Sequence, residues 1–114
     1  MTESTPIELR VELYSDGDLP ASAREHIASL LSRRWPLAWE VDAPERPSQE
    51  HPIRYRAVVP LPSGSTPENL HRQLELDIQA AALTYPLRLR TRWSFPQSPN
   101  HQEIYEVHWS PHPR

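Results

Sequence analysis

Three arginines spaced two apart, Arg88, Arg90 and Arg92, form the densest chemical signal in this chain of 114 residues. They alternate with Leu87, Leu89, Thr91, Trp93 and Phe95, a period of two that predicts a strand with one guanidinium face and one apolar face. Two more stretches repeat the pattern. Arg54 and Arg56 alternate with Ile53, Tyr55 and Ala57, and Glu8, Arg10 and Glu12 alternate with Ile7, Leu9, Val11 and Leu13. Tyr14, Val58 and Ile104 share the arginine parity and are expected to place apolar spots on the same face. A guanidinium is planar, permanently charged and able to grip a carboxylate or phosphate through two parallel hydrogen bonds. Mixed with aromatic and aliphatic groups it is also a favoured constituent of protein interfaces. The chemistry to expect is therefore recognition.

Bond-making chemistry finds little support in the residues present. There is no cysteine, which removes thiol catalysis, thiolate metal sites and disulfides. Gly17 and Gly64 are the only glycines, too few for a phosphate-cradling loop. An acylphosphatase needs such a loop after its first strand, but here Ser15-Asp16-Gly17-Asp18 carries two acids that would repel an anion. His101, His108 and His112 have no metal-ligand spacing, and His26 and His71 are expected on helix surfaces. No serine stands in a nucleophile elbow. Glu8 and Glu12 lie among arginines that would hold both ionised, the opposite of an acid-base pair with separated pKa values. The sequence thus predicts no enzyme, no cofactor and no metal.

These side chains need a scaffold, and its elements follow from the pattern. Residues 7–14 form a first strand, and residues 1–5 and 110–114 are expected to be loose. Ala23, Ile27, Leu30, Leu31 and Trp35 fall on one helical stripe between Pro20 and the helix-ending Pro36. Leu37, Trp39 and Val41 alternate in a short second strand, and residues 43–52, with three prolines, form an irregular loop. The third strand runs from Ile53 until Pro60 and Pro62 terminate it. Ser65 or Thr66 followed by Pro67 and Glu68 is a helix start, and the stripe Leu70, Leu74, Ile78, Ala81 and Tyr85 predicts a helix as far as Pro86. After the arginine strand and a turn at 96–100, a fifth strand is expected from His101 to Trp109, with Ile104, Glu106 and His108 on the arginine side.

The order βαββαβ plus one strand resembles the ferredoxin-like fold. Right-handed crossovers would then put both helices on one face of an antiparallel sheet ordered 5-4-1-3-2, in a single α+β domain over residues 1–114. The predicted core is Ile7, Leu9, Val11, Leu13, Ile27, Leu30, Leu31, Trp39, Tyr55, Val59, Leu70, Leu74, Ile78, Leu87, Leu89 and Trp93.

On the opposite face, Arg54, Arg56, Arg88, Arg90 and Arg92 would surround the glutamates of the first strand, either as a ladder of ion pairs or as a docking surface together with Tyr14, Val58 and Ile104. The fold is shared by unrelated functions, so the site must carry the functional argument. RNA-recognition sheets of this topology stack bases on aromatic rings of the open face. Here Tyr55 and Trp93 have the buried parity, Glu8, Glu12 and Glu106 would repel phosphate, and the net charge is -3. Nucleic acid is therefore a disfavoured partner. The expected function is a small protein-interaction module, an adaptor, inhibitor or immunity-type binder, meeting a protein partner or a second copy through the arginine face or the 43–52 loop. A dimeric barrel with Trp39, Trp93 or Trp109 lining a ligand cleft is the alternative. With no signal sequence or membrane span, the cytoplasm is the expected location.

Overall fold

The computed structural model describes residues 4–15 and 19–111. The chain runs β1 (Ser4–Tyr14), α1 (Ala21–Arg34), β2 (Glu40–Asp42), β3 (Ile53–Pro62), α2 (Pro67–Ala81), β4 (Leu87–Phe95) and β5 (Ser98–Trp109). The strands form one antiparallel sheet in the order β2-β3-β1-β4-β5, so the protein is α+β with the expected strand order.

β1 is central, and alternation along it sorts the molecule into two sides. Ile7, Leu9, Val11 and Leu13 are fully buried beneath the helices. Directly beside Val11 lie Tyr55 on β3 and Thr91 on β4. The Tyr55 hydroxyl donates to the Arg24 carbonyl of α1 at 2.9 Å, and Thr91 Oγ1 lies 2.8 Å from His71 Nδ1 of α2. Both helices thus cover the same sheet face. Burial there pushes the Tyr55 phenol up to about 12, because its ionised form would lose water. Arg34 grips Asp77 through two hydrogen bonds of 3.0 and 2.8 Å and ties α1 to α2.

α2 starts as its residues dictate. Thr66 Oγ1 accepts from the Asn69 amide at 3.2 Å, and Pro67 and Glu68 occupy the first turn. The helix stops earlier than Pro86, at a left-handed Ala82 with φ 50°. Tyr85 is therefore not on the helical stripe. It is still buried, since the segment after Ala82 turns back under the core.

Other boundaries also moved. β2 pairs only over Glu40–Asp42; Leu37 is exposed, and half-buried Trp39 donates its indole N–H to the Trp35 carbonyl at 3.1 Å, which keeps it with the end of α1. β3 runs through Pro60 and ends at Pro62, as expected; the two prolines lie opposite Pro6 and Ser4, so β1 extends over Ser4 and Thr5, where a loose end was expected. β5 begins at Ser98, three residues early, because Phe95 pairs with Ser98 across a tight turn and a bulge at Ser94/Phe95 absorbs the register. The Asp16-Gly17-Asp18 turn and His112 lie outside the described residues. None of the described helices is long and apolar enough to cross a membrane.

Candidate functional site

The face opposite the helices is the arginine face, and the register arranges it in rows. One row reads Asp42, Arg54, Glu12, Arg90, Glu106 from β2 to β5, with signs alternating at every step. The next reads Glu40, Arg56, Arg10, Arg92, Ile104, with three arginines on adjacent strands directly opposite one another. Tyr14, Arg88 and His108 form a third row at one end, and Val58, Glu8, Ser94 and Gln102 a fourth at the other. Parity therefore places all of the expected residues, Arg54, Arg56, Arg88, Arg90, Arg92, Tyr14, Val58 and Ile104, on one face.

Glu12 is the hub of the alternating row. Its Oε1 lies 2.8 Å from Arg92 Nε and 3.0 Å from Arg90 Nε, and its Oε2 lies 3.2 Å from Arg54 Nε. The side chain is only 3% exposed, although no helix covers it. Three guanidinium groups from the two flanking strands, β3 and β4, close over the carboxylate, so it is buried under polar side chains and not within the core. Burial alone would raise its pKa, but the Arg92 hydrogen bond, the charges of Arg92 and Arg90 and the Arg54 bond together outweigh it and hold the carboxyl below the ordinary range. Tyr14 shares this treatment. It was expected to offer an exposed apolar spot, yet it is 3% exposed, with the Arg90 guanidinium 5.5 Å above its ring in a cation–π contact. Tyr14 therefore supports the arginine layer from below and is not a contact surface.

The three-arginine row is built differently. Arg56 is held by Glu40 at 2.6 Å, and Arg92 is turned toward Glu12. Arg10, in the middle, reaches a carboxylate among the described residues only at 3.8 Å, that of Glu8 two residues along its own strand. Arg10, Arg54, Arg56, Glu40 and Asp42 line a shallow depression of about 340 Å³ beside β2. Val58 and Ile104, at 58% and 48% exposed, stand at opposite margins of the face. The surface thus combines a rigid, neutralised ion-pair row with an adjacent row where like charges face one another, an arrangement that costs stability in a sheet.

The helix side holds a second polar cluster that periodicity assigned to the surface. His71 is buried at 6% exposure: it lies on the same helical stripe as Leu74 and Ile78, three and seven residues on. Its partner Thr91 also accepts from Trp93 Nε1 at 2.9 Å. Nδ1 and the Thr91 hydroxyl share one hydrogen bond, and the Glu106 backbone carbonyl is a second polar partner of the ring. Burial lowers its pKa against the opposing influence of Glu75, that carbonyl and Glu68. His26, exposed as expected, stacks on Tyr85. Trp35 packs edge-on to Trp93 and beside Trp39, each at 6.3 Å, so these rings pack against one another. No group of three or more potential metal ligands occurs among the described residues. The 43–52 loop folds back beside the start of α1, with Ala43, Pro44 and Pro47 sharing a shallow cleft with Leu19, Pro20 and Arg24. Compared with protein-family models, curated proteins and solved structures, the chain matches none.

Proposed function

We propose that the protein is a non-enzymatic interaction module whose arginine face binds an acidic segment of a partner protein. The observation that carries this reading is the row Arg56, Arg10, Arg92: three like charges on adjacent strands, with the central one 3.8 Å from its nearest carboxylate among the described residues. A carboxylate delivered from outside would meet three guanidinium groups and relieve their mutual repulsion. Val58 and Ile104 flank that position and supply apolar contact. A polyphosphate fits less well, because Glu8, Glu40, Asp42 and Glu106 share the face and Tyr14, its tyrosine, is buried, which leaves the His108 imidazole at one end as the exposed ring among its described residues. The finer fold assignment belongs to the same proposal: helices on one side and strand order β2-β3-β1-β4-β5 support a ferredoxin-like sandwich with an added strand.

The test is a titration of the isotope-labelled protein with poly-glutamate, poly-lysine and single-stranded RNA, followed by NMR. Poly-glutamate should shift the signals of Arg10, Arg56, Val58, Arg92 and Ile104 and lose affinity as salt rises. Arg10→Glu should weaken binding by about tenfold or more, since it sets a like charge against the ligand. Unchanged affinity in that variant, or tighter binding of RNA than of the acidic peptide, would overturn the reading.

A further inference from the structure

The two edges of the sheet differ in a way the arginine face does not explain. β2 is three residues long and leads into the proline-rich loop, a short edge that offers little to pair with. β5 is twelve residues long, and among the described residues no strand lies on its outer side. Soluble proteins blunt such edges with proline, lysine, bulges or an inward charge, because an exposed row of backbone donors and acceptors templates further pairing. From Gln102 to Trp109 there is no proline and β5 pairs with β4 in unbroken register; the irregularity, three residues of β5 between the Ser94–Gln102 and Phe95–Ser98 pairs, lies before this stretch, and Glu103, the charge on the helix side, is bonded to Tyr105. Apolar groups flank the middle of this edge on both sides. Ile104 is exposed on the arginine side, and on the helix side Leu76 of α2, 56% exposed, shares a cleft with Tyr105.

We infer that β5 pairs antiparallel with β5 of a second copy about a two-fold axis at Ile104, continuing the sheet to ten strands. The strand is self-complementary in this register. Over the regular part of the strand Ile104 faces Ile104, Glu103 faces Tyr105 and Gln102 faces Glu106, and no two like charges meet. The bond that Tyr105 already makes to Glu103 within one chain becomes available between chains. Shifting the axis by one residue to Tyr105 sets Glu106 against Ile104 and Glu103 against Val107. Axes at Glu103 or Glu106 oppose two carboxylates. Pairing one edge with itself also closes the assembly, whereas β2 against β5 would leave edges open to continue. A two-fold axis perpendicular to the sheet keeps both pairs of helices on one side and brings the Leu76 clefts toward each other.

The cysteine-free chain makes the test direct. Sedimentation equilibrium at high micromolar concentration should give twice the chain mass, and Leu76→Lys, which leaves the arginine face untouched, should shift the species toward the monomer. Under mild oxidation Ile104→Cys should cross-link to a dimer, because the Cβ atoms of directly opposed residues come close enough for a small adjustment to complete a disulfide. Gln102→Cys, four positions off register with its own copy, should not. A monomeric wild type, or equal cross-linking of the two cysteine variants, overturns the inference. Either result leaves the acidic-peptide titration to be judged separately, with Arg10→Glu reporting on the face and Leu76→Lys on the edge.

Discussion

Glu12, on β1, and His71, on α2 above the neighbouring strand β4, are both buried and both titratable, yet the two faces keep them in opposite states. Glu12 sits on the helix-free face as an anion, sealed by Arg54, Arg90 and Arg92. His71 sits under α2 as a neutral ring in a chain of hydrogen bonds with Thr91 and Trp93. The comparison shows two ways to satisfy a polar group away from water. Where apolar helices cover it, neutrality and directed hydrogen bonds suffice; where arginines cover it, charge is matched with charge.

The difference is sharpest when the hub of each cluster is removed. Glu12→Ala leaves three guanidinium groups crowded around an absent counter-charge and should destabilise the fold by about 3–5 kcal/mol, read from urea unfolding. A loss below ~1 kcal/mol would mean that the arginines simply swing into water. Thr91→Val keeps the shape but strips both His71 Nδ1 and Trp93 Nε1 of their partner, and should cost about 1–3 kcal/mol in the same measurement.

Acid separates the two clusters in sequence. Both groups have folded pKa values below their ordinary ones, so each contributes stability that is present above its unfolded pKa and lost as pH falls toward the folded value. The His71 share should fade first, below 6.5, and the Glu12 share only below 4.5. Between those two values a His71→Asn protein should therefore show a flatter stability-pH curve than the wild type. Parallel curves would show that burial of His71 is not linked to its protonation. The smallest effect belongs to a contact on neither cluster. Arg34→Ala removes the exposed clasp on Asp77 and should change stability by only about 0.2–1 kcal/mol, diminishing further in high salt.

Strand order and helix side were legible from the βαββαβ order of elements, and the parity of the strand arginines from alternation, because a period of two reports which face a residue occupies. It does not report what lies on top. Tyr14 and Glu12 were read correctly onto the arginine face and wrongly into solvent, since the cover comes from side chains 42 to 80 positions away in sequence. His71 was missed for a different reason: one imidazole between leucines has the polarity of a surface residue, and only its spacing to Leu74 and Ile78 gave it away. Ala82 ends α2 without glycine or proline, so the helix end had no local signal. Trp39 looked like a strand residue until its indole was found bonded to Trp35, a choice made by one hydrogen bond.

The central position of β1 governs how the chain must fold. β1 is made early, yet its partners are β3, about fifty residues on, and β4, with Arg92 and Glu12 separated by 80 positions. While the chain is still being synthesised, β1 has no ladder to join and Glu12 has no counter-charge. At translation rates of roughly 5–20 residues per second it waits several seconds with two sheet edges and an apolar face uncovered. Pairings of such long range also slow the search for the native topology. The strand that anchors the finished sheet is thus the one whose exposure sets the window for misassembly, and a nascent chain stalled before residue 95 should be a client for whatever holds unfinished strands apart.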